Sequence, residues 1–279
     1  IAGQLVETLA AWINTPSPLM LMKIVLVQLD AGQDWRYQDL SSWLKNAPHG
    51  DLVVFPECYP FWRVQGITHK TAMSRLETIA QNCPECSFIA GGYVADEGID
   101  GSRILRNRSY SVHNGFVVDH YDKQIAFQGE SFTPNNIVKL FAWGQHRCLP
   151  LICADADQGP TSNFMDQLVK RAHALGVGPQ VPIIVSSYGA MLTEPYWTDS
   201  LHYLADTCEA PVLICGVAGK SRSTFVYGIN DGGDGAKHHY GGGGSGLFLP
   251  GQKDSRQYEP PCYIVVDLDK FATRKKAFT

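Results

Sequence analysis

From residue 22 to its end the chain repeats one pattern: a short apolar run rich in β-branched residues, then a stretch with helical spacing, then another short run. Runs at 23–29, 51–55, 87–94, 147–153, 182–186 and 211–215 read as strands, and the segments 37–45, 70–82, 163–175 and 195–208 between them read as helices. Two further runs, 109–113 and 116–121, are joined by Asn114-Gly115. That dipeptide is a strong hairpin signal, because both residues tolerate the positive φ of the turn. Terminal strands are expected near Leu247 and over 263–267. No internal repeat and no mid-chain linker interrupts the alternation, so the reading is an α/β layered fold in a single domain.

Composition narrows the function. The 279 residues, 44% hydrophobic and 18% charged, suffice to bury a full core. With 23 Lys+Arg against 27 Asp+Glu the formal charge is −4, so the chain offers no basic face to track phosphates, and nucleic acid is not expected as a partner. No apolar run reaches the roughly 18 to 20 residues of a membrane helix, since Lys23 breaks the best candidate at 19–29. A membrane span is therefore not expected. Residues 1–18 lack the basic start of a secretory signal, and Met22-Lys23-Ile24 would make a natural beginning. Residues 1–21 thus read as an extension, with Leu5, Leu9 and Ile13 spaced for a short amphipathic helix, and 22–279 as the domain proper. Eight cysteines are too sparse for a disulfide scaffold, and several sit in apolar runs, which suits a reducing cytoplasm.

Three polar residues stand where apolar strands end: Glu57 in DLVVFPECYP, Lys123 in FVVDHYDKQIAF and Cys153 in RCLPLICADAD. Strand ends are where α/β folds assemble their sites. A buried carboxylate takes a thiol proton, a nearby lysine stabilises the thiolate and the oxyanion that follows, and the thiolate attacks a carbonyl carbon. Backbone N–H groups after a strand-to-helix turn add to that stabilisation. The alternative for each residue is plain: a loop carboxylate, a solvated strand end and a small buried apolar side chain.

The local motifs resemble those of the nitrilase superfamily of carbon–nitrogen hydrolases over residues 22 to 269. Pro56-Glu57 is similar to the family's Pro-Glu after a hydrophobic strand, Tyr121-Asp122-Lys123 to its Tyr-x-Lys, and Ile152-Cys153-Ala154-Asp155 to its Ile-Cys-x-Asp. Order and spacing agree, with gaps of 66 and 30 residues between the three. Glu130 in GESFTP matches the family's second glutamate, and Gly243-Gly244-Ser245 before Pro250-Gly251 its late Gly-x-Ser. The resemblance implies a four-layer αββα sandwich that forms a homodimer or a higher homo-oligomer. It implies Cys153 as nucleophile, Glu57 as general base, Lys123 and the Ala154 N–H as oxyanion donors, and Glu130 as the residue that orients Lys123. No metal and no organic cofactor is implied. The substrate would be a small-molecule amide or carbamoyl compound. Nitrile hydrolysis, acyl transfer to an amine and a catalytically silent binding module stand as alternatives. Departures mark a divergent branch: Ala154 replaces the usual aromatic residue, DADQGP the usual Phe-Pro-Glu and Arg region, Ser186 a proline, and Gly216 an asparagine.

Other candidates carry less. Tyr59, Phe61, Trp62 and Tyr188 are expected to line the pocket, although aromatics so placed also suit a core. The segment 228–246, with nine glycines and His238-His239, lacks the helix that follows a phosphate-binding loop, and two histidines without a third ligand do not make a metal site. Cys83-Pro-Glu-Cys86 has no second pair, so packing thiols are expected there. A Cys153 pairing with His113, His120 or His146 lacks an orienting motif.

Overall fold

β1 (Lys23–Asp30) sets the layering, because its side chains divide between two cores. Ile24 and Leu26 belong to one buried cluster and Val25, Val27 and Leu29 to another, as the two-residue period of a strand requires. The computed structural model describes residues 22–30, 39–61, 67–98, 100–127, 130–188, 195–218, 245–252 and 262–268. The expected helix at 5–13, Trp62, and the histidines and glycines of 228–244 lie outside the described residues.

The chain runs β1, α1 (Asp39–Asn46), β2 (Leu52–Val54), α2 (His69–Ala80), β3 (Phe88–Glu97), β4 (Arg103–His113), β5 (Phe116–Asp122), β6 (Phe141–Trp143) and β7 (His146–Ile152). A 3-10 turn at Cys153–Asp155 follows, then α3 (Asn163–Ala174), β8 (Ile183–Ser186), α4 (Pro195–Cys208), β9 (Val212–Cys215), β10 (Val217–Ala218), β11 (Gly246–Phe248) and β12 (Cys262–Asp267). The first sheet has the order β10-β1-β2-β3-β4-β5, with β12 also paired to β1; the second has the order β11-β9-β8-β7-β6. β1, β2 and β3 are parallel, as are β7, β8 and β9. The catalytic candidates thus follow C-terminal strand ends.

Four layers result. Ile24, Leu26, Val54, Ile89 and Tyr121 of the first sheet share a core with Leu149, Leu151 and Ile214 of the second. Val25, Val27, Val53 and Phe88 pack instead against Leu40 and Leu44 of α1 and Leu76 and Ile79 of α2. On the far side Met165 and Leu168 of α3 and Leu201 and Leu204 of α4 close over the second sheet. Each such side chain contributes about 1.5–3 kcal/mol by burial. The helices start where polar caps dictate: the Thr68 hydroxyl accepts from Thr71 N at 3.2 Å, and that of Ser162 from Met165 N at 3.1 Å. The expected α/β sandwich in one domain is the observed fold.

Three details differ from the sequence reading. β4 begins at Arg103 rather than Ser109, because its first half, RILRNR, carries charges whose partners lie on neighbouring strands and so shows no apolar alternation. β6 and β10, three and two residues long, are too short to display a period. Cys83 and Cys86, expected as packing thiols, form a disulfide: after α2 the Cys86 N–H bonds back to the Cys83 carbonyl at 3.0 Å, and the turn holds the two Cα atoms 5.6 Å apart. The hairpin turn is as expected, with φ of 51° at Asn114 and 82° at Gly115.

Candidate active site

The site grows from three chain segments that leave strands at one end of the sandwich. β2 delivers Glu57, β5 delivers Lys123 one residue past its last strand position, and β7 delivers Cys153 at the first position of the 3-10 turn. Cys153 has φ of 45° and Cys58, beside Glu57, has φ of 68°. Non-glycine residues in this region carry strain of order 1–3 kcal/mol each, which the surrounding packing must hold.

Lys123 is the hub. Its ammonium donates to Glu57 Oε1 at 2.8 Å and to Glu130 Oε1 and Oε2 at 2.9 and 2.7 Å, and all three side chains are almost wholly removed from solvent. Burial opposes the charged ammonium, yet Glu57, Cys153 and Glu130 together hold the Lys123 pKa well above its ordinary value. Burial raises the Glu130 carboxyl, with Lys123 pulling the other way and Glu57 adding to the rise. Desolvation likewise lifts the Cys153 thiol far above its usual range; Glu57 adds to this, while Lys123 and a hydrogen bond with the Ser187 side chain lower it. At neutral pH the Cys153 side chain is therefore a neutral thiol.

Several residues that hold this cluster were not singled out from the sequence. Asn107, in mid-β4, donates to Glu57 Oε1 at 2.8 Å and lies 3.4 Å from Glu130 Oε1. The Tyr93 hydroxyl donates to Glu130 Oε1 at 2.6 Å, and the Phe127 N–H to Glu130 Oε2 at 2.6 Å. Asp155 is fully buried and ties two site segments together: it accepts from Tyr121 OH (2.8 Å), Gln124 N (2.9 Å), Ile125 N (2.9 Å) and Ile152 N (3.2 Å). Burial nevertheless pushes its carboxyl up to about 6. The Ile-Cys-x-Asp pattern contains Asp155; Asn107 and Tyr93 have no signal beyond their place in a strand.

The structure brings Glu57, Lys123 and Glu130 into direct contact and sets Cys153 within electrostatic reach of them, and Ala154, 2% exposed, lies in the buried turn with Cys153. The expected pocket aromatics do not behave alike. Tyr59 and Phe61, each 1% exposed, pack with α1 and α2 in the outer core, where the Tyr59 ring stacks on Phe55 at 5.2 Å. The Tyr188 ring joins the same cluster, and its backbone N–H reaches the site, donating to Glu57 Oε2 at 3.1 Å. Ser245 of the late glycine motif is buried and accepts from the Gly216 N–H at 3.0 Å, while its own N–H reaches Gln28 Oε1, binding β9 to β1. The histidines pair elsewhere: His113 with Ser87 at 2.8 Å, and His120 beside the His69 ring.

No protein-family model matches the chain, and no curated protein matches it in sequence. Solved structures do match in fold. A mutant of the amidase from Nesterenkonia sp. AN1, carrying acrylamide added to its active-site cysteine, aligns with a TM-score of 0.62 at 17% identity, over 92% of this chain and all of its own. Saccharomyces cerevisiae Nit3, a member of branch 10 of the nitrilase superfamily, aligns with a TM-score of 0.65 at 20% identity, over 94% and 97% of the two chains. A glutamine-dependent NAD+ synthetase from Acinetobacter baumannii aligns with a TM-score of 0.57 at 14% identity, over 88% of this chain and 45% of that one. The fold is thus the one seen in nitrilase-superfamily amidases and Nit3.

Proposed function

We propose that this chain is a carbon–nitrogen hydrolase that cleaves a non-peptide amide or carbamoyl bond through a Cys153 thioester. The observation that carries the reading is the buried Lys123 ammonium held between Glu57 and Glu130. A lysine so fixed presents positive charge without solvent to screen it, which is what a developing oxyanion needs.

The proton inventory follows from the hydrogen bonds. Glu57 Oε1 already accepts from Lys123 and Asn107, whereas Oε2 accepts from the Tyr188 N–H and keeps a lone pair. Oε2 therefore takes the Cys153 proton as sulfur bonds to the carbonyl carbon, and the carbonyl electrons move to oxygen, held by Lys123 and the Ala154 N–H. Glu57 then gives that proton to the departing nitrogen as the carbon–nitrogen bond breaks, releasing ammonia or an amine. Water attacks the thioester, Glu57 accepts its proton, and the proton returns to sulfur as the acid leaves. Glu130 acts by fixing Lys123. The reading carries with it a small-molecule substrate and a homo-oligomer in the cytoplasm, which size-exclusion chromatography and cell fractionation test.

The deciding experiment incubates the protein with small amides, carbamoyl compounds and nitriles, following ammonia release and intact mass. Cys153→Ala should abolish turnover with the fold retained, and Glu57→Gln should slow it and accumulate an acyl adduct on Cys153. Turnover that survives either change, or neither turnover nor adduct across the panel, defeats the reading and leaves a binding module.

A further inference from the structure

A cavity of about 950 Å3 opens on the face of the first sheet opposite Lys123, between the start of α2, the end of β3 and the start of β4. Arg108 and Asp122 each neighbour a site residue, Asn107 and Lys123, and the strand period turns them to this other face. Arg108 forms the floor. It donates to both oxygens of Asp96 at 3.0 and 2.7 Å, to Asp122 Oδ2 at 2.9 Å, and through Nε to Asp122 Oδ1, while Asn135 adds a bond to Asp122 at 3.1 Å. Both carboxylates are thereby occupied by protein donors.

The cations above them are not so occupied. Arg106 donates through Nη1 to the carbonyls of Thr133 and Pro134, but its Nε is shielded from solvent with no hydrogen-bond acceptor, 3.8 Å from Asp96. Lys70 and Arg103 line the same cavity and form no ion pair among the described residues. Glu97 is the one acid of the lining that Arg108 does not engage, and it is exposed. His69 and His120 complete the wall, with His69 Nδ1 2.9 Å from Tyr110 OH. Burial first, then Arg108, depresses both histidines, His120 to about 4, so at neutral pH each is uncharged and presents a ring N–H.

We propose that this cavity binds a small anion bearing a phosphoryl group, held by Lys70, Arg103 and Arg106 with the two imidazoles alongside. Donors spread over two strands and a helix suit an anion with several oxygens, which meets them from more than one direction. The neutral imidazoles add donors without drawing in a second carboxylate.

Inorganic phosphate is the probe, titrated into the whole protein at constant ionic strength by calorimetry and by NMR of the histidine rings. The expected result is one saturable site in the millimolar range or tighter. Binding should weaken at least about tenfold in the Lys70→Ala, Arg103→Ala double variant, the loss of charge-assisted bonds. Thermal midpoint and Cys153 alkylation in that variant should match wild type, showing that the fold and the first site are intact. The His69 and His120 signals should move on binding and titrate at higher pH, because a bound anion offsets Arg108 and Lys139, while Asp96 and Asp122 are common to both states. Absence of saturable binding, equal binding by the double variant, or the same shifts from chloride at matched ionic strength would each overturn the proposal.

Discussion

Replacing Lys123 by Met tests whether the buried cluster is electrostatic in the way described, without any substrate. Glu57 Oε1 and Glu130 Oε2 lie 2.8 and 2.7 Å from the Lys123 nitrogen, so they are at most 5.5 Å apart (2.8 + 2.7). At an effective dielectric constant of about 20, two carboxylates at that separation repel by roughly 3 kcal/mol once the cation is gone. The folded variant relieves this by holding a proton on Glu130, whose ordinary pKa is 4.5. Keeping that proton at pH 7 costs about 1.36 × 2.5, or about 3.4 kcal/mol, relative to the unfolded chain. The two routes give similar figures, and the loss of a buried pair elsewhere falls in the range of about 3–5 kcal/mol. The sign follows from the raised carboxyl: the folded variant binds a proton that the unfolded chain does not, so the deficit shrinks as pH falls. Urea unfolding should show the variant about 3–5 kcal/mol less stable than wild type at pH 7, with the gap closing by up to about 1.4 kcal/mol per pH unit towards pH 5. A gap under about 1 kcal/mol, or one that does not change with pH, would refute this electrostatic picture.

Other perturbations read other parts of the structure. Asp155→Asn keeps one acceptor oxygen where four donors now converge, so stability should drop by about 3 kcal/mol or more in urea, and Cys153 should lose reactivity as its turn loosens. Burial raises the half-buried Asp157 carboxyl to about 7 from 3.8; its contribution to stability is full below pH 3.8 and is lost as pH rises through 7. Wild type should therefore show a fall in thermal midpoint between pH 5 and pH 8, and Asp157→Asn should remove part of it. A Cβ at Gly91 would sit 1.9 Å from the Arg108 carbonyl oxygen, a backbone atom that cannot swing aside. Gly91→Ala should cost about 3 kcal/mol or more, or prevent folding, as followed by circular dichroism during urea unfolding.

What the sequence makes legible here is what has a period or a motif. β1, α3 and α4 announce themselves through an apolar β-branched run and helical spacing, and the hairpin through Asn114-Gly115. Glu57, Lys123 and Cys153 stand out as polar residues closing apolar runs. Asn107 and Tyr93 do not, because their role depends on β4 and β3 lying side by side, a pairing that leaves no local mark. The first half of β4 is hidden for a related reason: Arg108 pairs with Asp96 and Asp122, well separated from it in sequence, so a strand held by charge pairing looks like a loop. For Tyr59 and Phe61 the sequence offers both a pocket and a core. Their closeness to Glu57 in sequence suggests a pocket, but the chain turns after Glu57, through the positive φ of Cys58, and sends both rings to the outer core. The positive φ of Cys153 is equally invisible in advance, although it shapes how Cys153 leaves β7.

The central claim is that Cys153 is a nucleophile activated by its neighbours, and competitive alkylation tests it most directly. Limiting iodoacetamide at neutral pH, followed by peptide mass mapping, compares Cys153 with the other free thiols among the described residues, Cys58, Cys148, Cys208 and Cys215, all of them buried. Cys153 should be modified first by a wide margin, and Glu57→Gln should slow it selectively, because a thiol raised by burial needs that carboxylate to lose its proton. Labelling of Cys153 no faster than that of Cys58 or Cys148, or a rate unchanged in Glu57→Gln, would contradict it.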